Sequence, residues 1–188
     1  LEKENPQHDD CNIDVAELDI TNQEAINRFV DDNQIDGIVN CAAYTAVDKA
    51  EENQEFCDLR SHVAPGDLAE AIEHRGGWLI QVSTDYLFDG TNHRPYIESD
   101  PVCPDSVYGR TKLEGEQLAM KLCKNTMVIR TAWLYSTFGN NFVKTMIRLG
   151  RERNELGVIF DQIGTPTYAR DLAQAIMQAI VQGIKPGI

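Results

Sequence analysis

The chain has 188 residues, 42% of them apolar and 25% charged, with 17 Lys plus Arg against 30 Asp plus Glu and a formal charge of −13. That length fits one globular domain with a rudimentary second lobe, and the composition excludes a wholly disordered chain. The acidic field argues against nucleic acid as a partner, and no apolar run approaches the ~20 residues that a membrane helix needs.

The chain opens on Leu1, without a methionine, in the charged stretch LEKENPQH, and it closes on IKPGI. Both ends are expected to be cuts in a longer protein. No basic stretch followed by an apolar run marks a signal peptide. Residues 11–14 are expected to form a short strand. Asn22 then supplies a cap, and 23–33 reads as a helix with Ala25, Ile26, Phe29 and Val30 on one face. The run 37–43 is short and apolar, as a strand buried on both faces requires. Val47 to Ala50 opens an acidic helix whose Asp48, Glu51 and Glu52 are expected to face solvent. A helix over 64–74, stopped by Gly76 and Gly77, precedes a strand over 78–83. Then come a helix over 108–122, a strand over 125–133, a helix over 142–151, a strand over 157–160 and a helix over 171–182.

Strands alternating with helices predict an α/β fold with a doubly wound parallel sheet of the Rossmann type. Ligands bind such sheets at the carboxyl ends of the strands, which directs attention to residues 42–45, 83–86 and 131–135. The five cysteines are an odd, widely spaced set without CxxC, and the four histidines are scattered without HExxH. Neither a disulfide framework nor a metal site is expected, and a reducing cytoplasm is the natural setting.

Tyr108 and Lys112 lie four residues apart, on one face of a helix. An ammonium beside a phenol favours the phenolate, which suits proton exchange with a carbonyl or alcohol. Alone, that spacing is common by chance. Ser83 and Thr84 add hydroxyls at a strand's carboxyl end, although strand capping explains them equally well.

The segments NCAAYTAVDKAE (40–51), VSTDYLFDG (82–90), PDSVYGRTKLEGE (104–116), RTAWLY (130–135), GNNF (139–142) and DQIGTPTYARDLA (161–173) resemble the dTDP-4-dehydrorhamnose reductase family of the extended short-chain dehydrogenase/reductases. The resemblance implies NADPH-dependent reduction of a nucleotide-sugar C4 ketone, with NADH used by some members. It implies a catalytic set of Tyr108, Lys112 and Thr84, with Tyr108 as proton donor and Lys112 lowering its pKa. Asp14 (at the end of a strand), Asp19, Ile20, Ala43, Tyr44, Thr45 and Val82 would line the cofactor with Tyr108 and Lys112. Thr84, Asp85, Trp133, Asn141 and Arg170 would meet the substrate. A core position for Trp133 and a helix cap for Asn141 are competing roles.

Some relatives use Mg²⁺ at a dimer contact, so a homodimer and that cation enter as family expectations. The family's glycine-rich phosphate loop has no counterpart in the sequence. Residues 1–8 are therefore expected to be the tail of the helix after that loop, with 1–155 an N-terminally incomplete cofactor domain and 156–188 a partial substrate lobe. Two other functions compete. One is a non-catalytic NADP-binding regulatory subunit, like that of methionine adenosyltransferase. The other is a different nucleotide-sugar reductase or epimerase. A dehydratase is disfavoured because Asp85 and Tyr86, not an Asp-Glu pair, follow Thr84. At position 61 the chain has Ser where extended members often have Asn.

Overall fold

The computed structural model describes residues 11–188. The helix tail expected at 1–8 lies outside them. A parallel sheet runs in the order β1 (Gly37–Asn40), β2 (Trp78–Thr84), β3 (Thr126–Thr131). Gly37 pairs with Trp78 and Asn40 with Gln81, while Thr84 pairs with Thr131. The expected α/β class with a parallel sheet holds.

One layer of helices covers a face of this sheet: α1 (Gln23–Asp32), α4 (Ala64–His74) and α5 (Val107–Leu122). Its core is built by Ile26 and Val30 from α1, Leu68, Ala69 and Ile72 from α4, Leu79 from β2, and Ala119 and Cys123 at the end of α5. Each of the large aliphatics contributes roughly 1.5–3 kcal/mol by leaving water. The helix α1 starts where Asn22 Oδ1 accepts the Ala25 amide at 3.1 Å, as its sequence predicts. Gly37 lies so close to the Trp78 ring that a Cβ there would come within 2.0 Å of it. A larger residue at 37 would push β1 off β2.

Between β1 and α4 the chain forms α2 (Val47–Ala50), α3 (Gln54–Asp58) and a π-turn over Leu59–Val63. Sequence periodicity did not reveal α3 or the π-turn, because their segment is short and mostly polar. Their inward positions, Cys57 and Ser61, are small and buried, and they face α5. After β3 a second, two-stranded parallel sheet joins β4 (Leu134–Tyr135) to β5 (Thr167–Tyr168), with Tyr135 stacked on Tyr168 at 5.3 Å. The helix α6 (Phe142–Glu152) lies between them in sequence, and α7 (Ala169–Gln182) follows. Gly187 returns to β3, donating to the Thr126 carbonyl at 3.0 Å while its own carbonyl accepts the Val128 amide at 2.8 Å.

Three expectations fail. Residues 11–14 form no strand. Asp14 sits in a turn, where its carboxylate accepts the Ala16 amide at 2.7 Å. Residues 157–160 form no strand either, and Val158, Ile159 and Phe160 are exposed. Apolar content at both places mimicked a strand, but no neighbouring strand supplies hydrogen bonds there among the described residues. Finally, β1 ends at Asn40, not 43, because the Asn40 side chain captures the Ala42 amide at 3.0 Å and turns the chain out of the sheet.

Candidate active site

The carboxyl end of β2 carries the centre of the site. Thr84 is buried, and its hydroxyl accepts the Tyr86 amide at 3.3 Å and reaches Asp85 Oδ1 at 3.3 Å. The Tyr108 phenol, half-buried in the first turn of α5, faces the same Thr84 hydroxyl, which draws its pKa down, and packs edge-on to Tyr86 at 5.6 Å. A threonine hydroxyl has one donor and two acceptor sites. With its proton on Asp85 it accepts from the Tyr86 amide and keeps a second acceptor site. Rotating that proton lets it serve a phenolate instead.

The backbone forces this approach. Ser106 Oγ accepts the Gly109 amide at 3.0 Å and Glu51 Oε1 accepts the Val107 amide at 2.9 Å, so two side chains cap α5. Glu51 is therefore not merely a solvated acid. Its carboxylate binds the positive end of the helix that carries Tyr108. Gly109 permits the contact with β2's exit, since a Cβ there would meet the Tyr86 carbonyl at 2.2 Å. Gly115 does the same one face along, against the Ser61 carbonyl at 2.1 Å.

Lys112 is 3% exposed, and its Nζ donates to the Val82 carbonyl at 2.7 Å. Burial brings its pKa down to about 8, opposed by Glu116 and by the Cys41 and Cys57 thiols. The ammonium thus persists at neutral pH. One turn on, Glu116 is fully buried and grips Arg130 in a two-point pair at 3.1 and 2.8 Å. The phenol departs from expectation. Burial pushes the Tyr108 pKa up, and the Thr84 hydroxyl opposes this only in part. Lys112 points its ammonium at a backbone carbonyl, so desolvation dominates the phenol and holds it protonated. Burial likewise pushes the Asp85 carboxyl up.

The loop after β1 stands beside this centre. Ala43 and Tyr44 are half-buried and Thr45 is exposed. The Tyr44 amide donates to the buried Ser61 hydroxyl at 3.3 Å, which gives the serine at 61 a definite job. The hydroxyl oxygens of Ser83 and Thr131, and Nη1 of Arg130, are buried at these strand ends without a protein partner.

The remaining predicted residues scatter. Asp19 is exposed and its carboxylate is held by the Thr21 amide and hydroxyl at 3.0 and 2.8 Å. Ile20 packs against the main core. Trp133 follows β3 with a left-handed backbone, φ 47°, and lays its ring against Gly164. Asn141 caps α6, accepting the Lys144 amide at 3.1 Å and donating to the Ser136 carbonyl at 2.7 Å. Arg170 is exposed in the first turn of α7. Asp58, His62 and Glu114 converge between the π-turn and α5, with the His62 ring 3.0 Å from Asp58. Scattered in sequence, these side chains meet through the i,i+4 spacing of the π-turn and the packing of α5.

A family model described as RmlD substrate binding domain matches residues 3–187. The chain belongs to that family. It is 45% identical over 162 residues to a dTDP-4-dehydrorhamnose reductase of Escherichia coli (strain K12), covering 86% of this chain and 54% of the relative. It is 41% identical over 169 residues to the Burkholderia thailandensis protein of the same name, covering 90% and 57%. The chain thus spans about half the length of the curated relatives it matches. Among solved structures, a Bacillus anthracis dTDP-4-dehydrorhamnose reductase in complex with NADP superposes with TM-score 0.91 at 38% identity, covering 97% of this chain and 68% of that one. A Clostridium acetobutylicum counterpart gives 0.88 at 44%, covering 93% and 65%. A Streptomyces venezuelae dTDP-glucose 4,6-dehydratase, at 18% identity and TM-score 0.78, shares the fold.

Proposed function

We propose that the whole protein containing this chain reduces the C4 ketone of dTDP-4-dehydro-L-rhamnose to dTDP-L-rhamnose with NADPH. The observation that carries this reading is the meeting of Tyr108 and the Thr84 hydroxyl at the exit of β2, with the buried amine of Lys112 one turn along the same helix and held on Val82, in a chain whose relatives bear that activity's name. The side chains present fit a nicotinamide cofactor. Small Ala42 and Ala43 follow β1, and the Ser83 and Thr131 hydroxyls are buried without partners at adjoining strand ends. Lys112 uses only one donor on Val82. In this reading residues 1–155 bind the cofactor, through Asp14, Asp19, Ile20, Ala43, Tyr44, Thr45 and Val82 beside Tyr108 and Lys112, and 156–188 contribute to the substrate lobe.

NADPH, when bound, supplies the hydride that the ketone carbon takes up. Tyr108 gives its phenolic proton to the ketone oxygen, and Thr84 holds the phenol in line. A phenol kept protonated by burial is the right form for an acid in a reduction. Thr84 then turns its proton toward the phenolate left behind. Donors aimed at the developing oxyanion are worth on the order of 3 kcal/mol each. Lys112 brings its ammonium to the cofactor's ribose side. Asp85, Trp133, Asn141 and Arg170 stand as the substrate contacts, with Asp85 adjoining the reactive pair. Five free cysteines suit a reducing, cytoplasmic setting.

The test is to supply the whole protein with NADPH and dTDP-4-dehydro-L-rhamnose. Oxidation of the nicotinamide with formation of a sugar nucleotide two hydrogens heavier is the expected result. Tight NADPH binding without turnover would favour a regulatory binding role and refute the reductase.

A further inference from the structure

Two amide side chains in the sheet link the parts of the site that the sequence left separate. Asn40 and Gln81 face each other in register on β1 and β2, and they are 4% and 1% exposed. The Ala42 amide donates to Asn40 Oδ1 at 3.0 Å, Asn40 Nδ2 donates to Gln81 Oε1 at 2.8 Å, and Gln81 Nε2 donates to the Val82 carbonyl at 2.9 Å. That carbonyl also accepts Lys112 Nζ at 2.7 Å. The chain has a backbone donor at one end and a backbone acceptor at the other. Its ends therefore dictate both amide orientations, and no flipped arrangement satisfies all the links. The side chains of Asn40, Gln81 and Lys112 are buried, where an unmade link is costly.

We propose that Asn40 and Gln81 are positioning residues that tie the loop after β1 to the amine of Lys112, so that the cofactor loop and the reactive lysine are set together. Its consequence for NADPH rests on the function proposed above; the coupling itself does not. The loop is pinned by Asn40 at Ala42 and by Ser61 at Tyr44. Lys112 is pinned by the same relay from the other side. A ligand that pulls on one end meets the resistance of the other.

The groups facing Lys112 are Glu116 on α5, Cys57 on α3 and Cys41 after β1. None of them belongs to the relay, so a carboxylate at 81 adds a new charge next to an amine that shares its Val82 acceptor. The test uses the whole protein with Gln81→Met and Gln81→Glu. Gln81→Met is expected to speed hydrogen exchange at the Ala42 amide about tenfold and to weaken NADPH binding about tenfold. Gln81→Glu is expected to move the alkaline limb of the NADPH-binding pH profile upward by about one unit. Unchanged Ala42 exchange in Gln81→Met overturns the relay. Faster exchange with an unmoved alkaline limb in Gln81→Glu overturns its coupling to Lys112. Should Gln81→Glu not fold, the two Gln81→Met readouts decide, and unweakened NADPH binding then counts against the coupling. Failure of the unsubstituted protein to turn over leaves the exchange result to decide the relay alone.

Discussion

Lys112 is the residue at which the proposed function and stability oppose each other. An ammonium that is 3% exposed is costly, and its pKa near 8 records that cost. The unfolded chain holds this proton up to about pH 10.4. Between about 8 and that value the unfolded state therefore binds more protons, so stability rises with pH across the window. At one pKa unit per 1.36 kcal/mol, the linked contribution is about 3 kcal/mol. Replacing Lys112 with Met removes the buried charge and leaves Gln81 on the Val82 carbonyl. We expect Lys112→Met to be more stable at pH 7 by about 1–3 kcal/mol, to lose the rise in stability above pH 8, and to bind NADPH poorly. Urea unfolding at pH 7 and pH 10, with a cofactor titration, checks all three. Glu116 works the opposite way. Glu116→Gln leaves the partly buried Arg130 without its carboxylate, and a loss of about 3 kcal/mol is expected in the same unfolding experiment.

At the scale of elements, α5 carries the site because several small decisions coincide at its start. Ser106 and Glu51 cap it, and Gly109 lets it touch the exit of β2. Gly109→Ala places a methyl against the Tyr86 carbonyl, and overpacking of this kind costs about 1–3 kcal/mol. A lowered denaturation midpoint, together with a fall in turnover larger than the fall in NADPH affinity, is expected. The start of this helix was legible to within one residue from the Tyr108–Lys112 spacing, whereas the Ser106 cap emerged only from the structure. The Glu51 cap was not, because a carboxylate 56 residues upstream gains its role only from tertiary packing. The false strand at 157–160 fails for the matching reason. Apolar residues write a strand-like phrase, but a strand exists only where a neighbour accepts its hydrogen bonds. Asn141 takes up its competing role as well, since its Oδ1 caps α6 while its Nδ2 holds the Ser136 carbonyl.

Across the whole molecule, the order β1-β2-β3 brings segments from 40–45, 82–86 and 108–112 to one edge of a parallel sheet. That convergence was readable from strands alternating with helices, and the family resemblance assigned the roles. The direction of the Tyr108 pKa was not readable. Spacing along a helix shows that a cation is near, and only three-dimensional burial shows that desolvation outweighs it. Nor were the Asn40–Gln81 relay and the Ser61 contact readable, because each depends on strand register or on a π-turn. The claim on which the account turns is that Tyr108 delivers the proton. Its most direct test is single-turnover NADPH oxidation by the whole protein and its Tyr108→Phe variant on dTDP-4-dehydro-L-rhamnose, with NADPH affinity measured alongside. We predict that the variant's rate falls about a hundredfold or more while its affinity holds within about threefold. An undiminished rate in Tyr108→Phe would contradict it.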